Sequence, residues 1–202
     1  MEQIVFATKN KGKIIEINEI MKDLNIEIIS MEAAGININI IEDGTTFEEN
    51  AIIKVKEIMK HSKGIVMADD SGIEIDYLNG EPGISSARFM GEDTPYNIKN
   101  NKILDMLKGV PDEKRTARFV CVIAAGFSDG RIITTKGVIE GRIGNEIRGA
   151  NGFGYDPIFY VPKYNMTTAQ IPPELKNKIS HRAKALENMK DLLKGRLEDT
   201  TK

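Results

Sequence analysis

Two hydrophobic spacings alternate along this chain of 202 residues. Short apolar runs and one long apolar-polar alternation have the period of strands. The predicted strands cover residues 3–7, 26–29, 65–68, 73–76, 116–127, 132–139 and 158–160. The Ser-Asp-Gly-Arg sequence at 128–131 predicts a hairpin between the two longest strands. The Asp-Asp-Ser-Gly sequence at 69–72 predicts a turn between two shorter ones.

Apolar residues at intervals of three and four predict helices between these strands. The predicted helices cover residues 11–22, 47–61, 95–108 and 174–194. Thr46 and Glu49 have the spacing of a capping box, and Thr94-Pro95 predicts a cap followed by a first-turn proline. Strands and helices mixed in this way predict an α/β fold with a mixed sheet, in a single domain over residues 1–202.

Composition and charge narrow the class of protein. Apolar residues make up 41% and charged residues 29%, as in globular proteins. The formal net charge of −2 argues against broad, non-specific binding of nucleic acid, which needs a basic face. No apolar run approaches the roughly 20 residues that span a bilayer, and no signal-peptide pattern is recognised. We therefore expect a cytoplasmic protein with neither a nucleic-acid nor a membrane partner.

The single cysteine, Cys121, excludes an intrachain disulfide and lies in an apolar run. We interpret it as a small buried hydrophobic residue rather than a nucleophile.

The first strand leads into Ala-Thr-Lys-Asn-Lys-Gly-Lys at residues 7–13. This turn lacks the first glycine and the Ser or Thr of a Walker motif. However, the start of a helix offers unpaired backbone amides and partial positive charge, so an anion binds there readily. Thr8, Asn10 and Lys13 add polar and cationic side chains. This segment taken alone favours a capped helix start with exposed lysines, and a phosphate site is the alternative.

Two adjacent carboxylates, Asp69 and Asp70, follow the apolar strand at 65–68. Ligands bind at the carboxyl ends of strands in open α/β sheets, and successive side chains of an extended chain point to opposite sides. One of the two acids would then face a cleft. Glu42 together with one of them would supply the one or two carboxylates that Mg²⁺ needs beside phosphates and water. The alternative for Asp69 and Asp70 is a turn without a ligand. The alternative for Glu42 is an exposed acid in a loop.

Three further segments carry candidate ligand contacts. Asn50 and Lys54 share one helix face, and Lys54 has the charge to bind phosphate. The glycine-flanked aromatics Phe153 and Tyr155 are able to stack on a base or to pack into the core. His181 and Arg182 lie next to each other in a basic stretch and have donors for a carbonyl group.

Six stretches, in order, resemble one family across almost the whole chain: FATKNKGK, TTFEENAIIK, ADDSGIEID, PGISSARF, GFGYDPIF and SHRAKAL. This is the inosine triphosphate pyrophosphatase family, also called the Ham1 or RdgB-like family of noncanonical purine NTP pyrophosphatases. The resemblance implies an elongated mixed β-sheet with flanking helices, in two lobes with the active site in the cleft between them. It also implies a homodimer and Mg²⁺-dependent hydrolysis of ITP, dITP and XTP to the monophosphate and pyrophosphate.

The resemblance also implies site residues. Asp70 would be the general base, and Glu42 and Asp70 would hold the metal. The nucleotide would be bound by Thr8, Lys9, Asn10, Lys11, Gly12, Lys13, Lys54, Ser71, Phe153, Gly154, Tyr155, Asp156, Lys176, His181 and Arg182, with Asp69 in a supporting position. Donors from Arg182 and nearby backbone would match the C6 oxygen of inosine and xanthine and oppose the amino group of adenine.

Two other functions stay open. One is a Mg²⁺-dependent enzyme of the related Maf-like fold, which acts on nucleoside triphosphates with other bases. The other is a nucleotide-binding sensor without catalysis, although two adjacent acids speak against it.

Overall fold

The computed structural model describes residues 3–24 and 26–199. The predicted domain, residues 1–202, therefore includes positions outside the described residues. In this part of the chain the strands are β1 Gln3–Phe6, β2 Glu27–Ser30, β3 Ile65–Ile75, β4 Thr116–Gly126, β5 Ile132–Ile143, β6 Phe159–Val161 and β7 Met166–Thr167. The α-helices are α1 Lys11–Met21, α2 Phe47–Met59, α3 Tyr96–Met106, α4 Pro173–Ile179 and α5 His181–Asp199.

The seven strands form one mixed sheet in the order β2-β1-β3-β4-β5-β6-β7. β1 pairs in parallel with β2 and β3, whereas β6 pairs antiparallel with β5 and β7. The prediction of an α/β fold with a mixed sheet is therefore confirmed. No helix of the described residues combines the length and the hydropathy needed to cross a bilayer.

Strand β3 corrects the prediction of two short strands joined by a turn at residues 69–72. It runs without interruption from Ile65 to Ile75, and Asp69, Asp70 and Gly72 are buried within it. Sheet pairing and the burial of both carboxylates outweigh the local preference of these residues for a turn. The two acids consequently lie in the middle of a strand and not at its carboxyl end.

Two predicted helix boundaries also change. The helix predicted over residues 174–194 is two helices, because Ser180 is extended, with ψ of 162°, and separates α4 from α5. Helix α3 begins after Pro95, and the hydroxyl of Thr94 donates to the Met90 carbonyl oxygen instead of capping the helix.

The predicted capping box at α2 is half formed. Thr46 is the N-cap, and its hydroxyl oxygen accepts from the Glu49 amide at 3.1 Å. The Glu49 carboxylate reaches back to the amide and hydroxyl of Thr45, one residue before the cap. The Thr46 hydroxyl thus satisfies an amide that the helix start leaves without an intrahelical partner, and Glu49 ties the preceding residue to the helix.

The chain divides into two compact units, each with a core of its own. Unit 1 comprises the chain up to residue 70, residues 121–137 and the chain from 181 onward, and unit 2 comprises residues 71–120 and 138–180. The core of unit 1 is drawn from β1, α1, β4 and α5, and includes Ile4, Ile17, Ile123 and Leu186. The core of unit 2 includes Ile73, Ile103, Phe159 and Ile171.

Candidate active site

The phosphate-site prediction falls on the first turn of helix α1 in unit 1. Asn10 is the N-cap, and its side-chain oxygen accepts from the Lys13 amide at 3.1 Å. The Thr8 hydroxyl oxygen accepts from the Asn10 amide at 3.1 Å and fixes the approach to the helix. The amides of Lys11 and Gly12, the first two residues of the helix, have no intrahelical acceptor. The turn thus presents amides and the charges of Lys9 and Lys11, both exposed, where an anion is favoured.

Lys13 connects this turn to strand β3. Its ammonium lies 2.9 Å from both carboxylate oxygens of Asp69. Arg182, in the first turn of α5, donates to the same carboxylate at 3.1 Å and to Glu16 at 2.6 Å. The side chains of Asp69 and Arg182 are only 1% and 2% exposed, so these four charges form a buried network that holds α1, β3 and α5 together.

The network fixes the charge states of its members. Burial alone would raise the pKa of Asp69, but Lys13 and Arg182 outweigh it and hold this pKa well below its ordinary value. Burial opposes the charge of Arg182, and Asp69 and Glu16 outweigh it, so the pKa of the guanidinium is raised. Asp69 is therefore an anion, and Arg182 a cation, at any physiological pH.

Asp70 is also buried, and it accepts hydrogen bonds from a second set of partners. Lys54, in α2, donates to Asp70 Oδ1 at 3.2 Å and to Glu42 Oε2 at 2.9 Å. Asn50, one turn earlier in α2, donates to Asp70 Oδ2 at 3.3 Å and accepts from the Gly44 amide at 2.9 Å. Adjacent residues of β3 thus have different partners, as the alternation of side chains along a strand predicts.

The charge balance at Asp70 differs from that at Asp69. Burial raises the pKa of Asp70, and the nearby Glu42 adds to the rise, while Lys54 and Lys13 oppose it. For Lys54, burial lowers the pKa, but the attraction of Asp70 and Glu42 prevails and raises it. A carboxylate with a raised pKa beside a charged lysine is typical of a site where a side chain transfers protons as a general acid or base.

The donor set around Lys54 fits a hard divalent cation. One oxygen of Glu42 and one of Asp70 lie within 3.2 Å of the Lys54 ammonium nitrogen. The two carboxylates therefore face the same cation. No group of three or more His, Cys, Asp or Glu side chains suited to a metal occurs among the described residues. A metal held by these two carboxylates would take its other ligands from phosphates and water, as Mg²⁺ commonly does.

In unit 2, the loop at residues 153–156 and helix α4 form a separate cluster around Asp156. Asp156 Oδ2 accepts from the Lys176 ammonium at 2.6 Å and from the Phe153 amide at 2.8 Å, and Oδ1 accepts from the Thr168 hydroxyl at 2.8 Å. The Lys176 nitrogen lies 5.0 Å from the centre of the Phe153 ring. Gly152, with φ of +74°, has no room for a side chain, because a Cβ would lie 2.1 Å from Asp156 Oδ2.

The two aromatic residues of this loop have different surroundings. Tyr155 is buried in the core of unit 2, and its hydroxyl donates to the Ser86 carbonyl oxygen at 2.7 Å. Phe153 is half-buried. Of the two rings, Phe153 therefore has the more accessible face.

The remaining predicted residues fall in both units. His181 is the buried first residue of α5 in unit 1, directly before Arg182. Ser71 follows Asp70 in β3 and belongs to unit 2, where it is half-buried. Unit 1 thus brings together residues 8–13 with Glu42, Lys54, Asp69, Asp70 and Arg182, and unit 2 brings together residues 153–156 and Lys176. The direct contact of Arg182 with a base stays a prediction, since its guanidinium already binds two carboxylates.

Sequence reasoning missed three partners of these residues. Asn50 was recognised only as sharing a helix face with Lys54, yet it is fully buried against Asp70. Glu16 lies three residues after Lys13, a helical spacing that would have suggested a neighbour of that lysine. Thr168 holds Asp156, and nothing in the sequence around it indicates this contact.

Comparison with known proteins places the chain in a family. The Ham1 family matches residues 4–192. The dITP/XTP pyrophosphatase of Clostridium perfringens is 50% identical over 204 residues, which cover 98% of this chain and 100% of that protein. The structure of the Staphylococcus aureus Ham1 protein superposes with a TM-score of 0.86 at 42% identity, and that of a HAM1 protein from Coxiella burnetii with 0.87 at 41%. Each match covers 96% of this chain and 100% of the solved one. The chain belongs to the Ham1 family.

Proposed function

We propose that the protein is a Mg²⁺-dependent nucleoside-triphosphate pyrophosphohydrolase that removes noncanonical purine nucleotides from the nucleotide pool. Its substrates would be dITP, ITP, XTP and dXTP, and its products the monophosphate and pyrophosphate. The observation that carries the proposal is the arrangement around Asp70, a buried carboxylate that shares the Lys54 ammonium with Glu42. The name of the Clostridium perfringens relative, dITP/XTP pyrophosphatase, supports the choice of substrates.

The polyphosphate would bind at the start of helix α1. The amides of its first turn and the lysine side chains of residues 9–13 supply donors and positive charge for several phosphate oxygens. Lys13 is held by Asp69, so its charge is in place before a ligand arrives. Groups that are already oriented spend little free energy on reorganisation when the ligand binds. They therefore stabilise strongly the charge that develops on the leaving pyrophosphate.

In the reaction, a water molecule attacks the α-phosphorus, and the bond from that phosphorus to the oxygen bridging to the β-phosphorus breaks. Asp70 accepts the proton of the water, and the electron pair of the broken bond leaves with pyrophosphate. Mg²⁺ bound by Glu42 and Asp70 would neutralise phosphate charge and polarise the phosphoryl oxygens. Asn50 and Lys54 keep the Asp70 carboxylate oriented throughout.

The nucleoside is assigned to the loop at residues 153–156 and to Lys176. Phe153 offers a half-buried ring for stacking on a planar base. Backbone amides of such a loop match the C6 oxygen of hypoxanthine and xanthine, and they would be left unpaired by the amino group of adenine. A site built on such hydrogen bonds is able to reject an unmatched base strongly. The homodimer and the cytoplasmic location remain predictions.

A panel of nucleoside triphosphates, each incubated with Mg²⁺ and scored for pyrophosphate and phosphate, tests the proposal. Pyrophosphate released from dITP and XTP in preference to dATP is the expected result, and chelation of the metal with EDTA should stop it. Preference for dTTP or UTP would favour a Maf-like enzyme, and binding without turnover would favour a sensor. Either of these results would overturn the proposed function.

A further inference from the structure

Helix α3 of unit 2 contacts the loop at residues 153–156 through two residues on one face. Tyr96 and Asn100 are four positions apart, so their side chains lie next to each other on the helix. The Tyr96 ring meets the Tyr155 ring edge-on, with 5.2 Å between centres and 89° between planes. Asn100 Nδ2 donates to the Gly154 carbonyl oxygen at 3.1 Å. The helix therefore holds both the backbone and a side chain of the loop.

The burial of Asn100 is unusual for an amide side chain. The residue is 2% exposed, and its Oδ1 accepts no hydrogen bond from the described residues. A buried acceptor without a partner is destabilising, and an apolar side chain of similar volume would avoid that cost. Among the described residues, the hydrogen bond to Gly154 is the side-chain contact that accounts for an asparagine at this position.

The bond fixes a peptide group that would otherwise have freedom to rotate. Gly152 and Gly154 both have positive φ, of +74° and +68°, and glycine adopts many other conformations as readily. Around them, the side chain of Asp156 holds the amide of Phe153, and the Tyr155 hydroxyl is held by Ser86. Asn100 holds the Gly154 carbonyl, and so fixes the peptide group that joins Gly154 to Tyr155.

We propose that Asn100 is a positioning residue for recognition of the base, acting through the Gly154 carbonyl on the loop at residues 153–156. This inference rests on the proposed function, in which that loop binds the nucleoside. Asp70 and its partners, which carry the chemistry, belong to unit 1. Loss of the Asn100 hydrogen bond consequently weakens binding of the base and discrimination between bases. It leaves kcat, the turnover rate of the bound substrate, nearly unchanged.

The test compares N100D with N101D. N100D has nearly the same shape as the native residue but turns an acceptor toward the Gly154 carbonyl. N101D makes the same change at the neighbouring, exposed asparagine. For N100D we expect KM for dITP to rise about 10- to 100-fold, the dITP-to-dATP ratio of kcat/KM to fall at least about tenfold, and kcat to stay within about threefold. All three quantities should stay within about twofold in N101D. N100A, which removes the donor without adding charge, should show a smaller rise in KM, and thermal melting verifies that each variant is folded.

Two results overturn the inference. One is a fall of kcat with KM and the base ratio unchanged, which describes a merely structural residue. The other is an N100D variant that behaves as N101D does. Calorimetric binding of IMP separates this failure from that of the proposed function. If the wild type releases no pyrophosphate from dITP, the proposed function fails. Weaker IMP binding by N100D than by N101D would still support the inference about Asn100. Equal IMP binding by the two variants, or no IMP binding, overturns that inference.

Discussion

Replacement of Asp69 by asparagine removes the carboxylate on which the buried charge network of unit 1 depends. The change keeps the shape of the side chain but removes the anion that both Lys13 and Arg182 contact, and it leaves Glu16 as the carboxylate that still binds Arg182. Three contacts of 2.9, 2.9 and 3.1 Å to the carboxylate lose their charge-assisted character. Removing one partner of a buried ion pair costs about 3–5 kcal/mol, because the other charge stays buried without compensation.

This magnitude translates into a shift of thermal stability. For a chain of this size each kcal/mol of unfolding free energy corresponds to about 2–4 °C in Tm, so D69N should melt about 6–20 °C below the wild type. Urea unfolding of the two proteins measures the free energy directly. The matched control is E57Q, which removes one carboxylate of the exposed Glu57–Lys60 pair in the same unit and should change little.

A double-mutant cycle with K13M extends the experiment. Residues in one ion-pair network show coupling energies of about 0.5–3 kcal/mol, whereas independent residues add. A loss below about 1 kcal/mol in D69N, or additive effects of D69N and K13M, would refute the conclusion that this network ties α1, β3 and α5 together.

Three further predictions concern other groups. K54M should lower kcat/KM about 10²–10³-fold, because the two carboxylates around that ammonium then repel each other and a phosphate donor is lost. D156N should raise KM for dITP and lower Tm, because its three hydrogen-bond partners in unit 2 lose a buried acceptor charge. Cys121 should resist iodoacetamide at pH 8 in the native protein, because burial raises its pKa to about 12 and the reactive thiolate is scarce.

Each of these predictions has a control and a contrary outcome. K56M changes an exposed lysine on the same helix, and equal losses in K54M and K56M would contradict the role of Lys54. D105N changes an exposed carboxylate of α3, and unchanged KM and Tm in D156N would contradict the clustering around Asp156. Native Cys121 that is alkylated as fast as in urea, where its pKa returns to about 8.5, would contradict its burial.

The local features of the fold follow from the sequence to different degrees. Helix α1 was predictable because Ile17, Ile20 and Met21 recur at helical spacing behind the cap Asn10. Strand β3 was predicted as two strands because its central residues are turn formers in isolation. Their burial depends on cations from distant parts of the chain, and a local pattern carries no information about them.

The site itself shows the same division. The residue types indicated an anion site at residues 8–13 and a functional pair of carboxylates at residues 69 and 70, and the resemblance named most positions of the site. The pairings were not accessible, since Lys13 and Arg182 lie 56 and 113 residues from Asp69 and meet it only through the order of the strands. Asn100 lies 54 residues before its partner Gly154, and its role follows only from the contact.

Hydrolysis of dITP in ¹⁸O-enriched water tests the central claim, that Asp70 directs water to the α-phosphorus, most directly. Mass spectrometry of the products should find one ¹⁸O atom in dIMP and none in pyrophosphate. D70N should make labelled dIMP about 10²–10⁴-fold more slowly, the usual contribution of a general base. Label in pyrophosphate, release of phosphate with dIDP, or near-normal turnover by D70N would contradict the account.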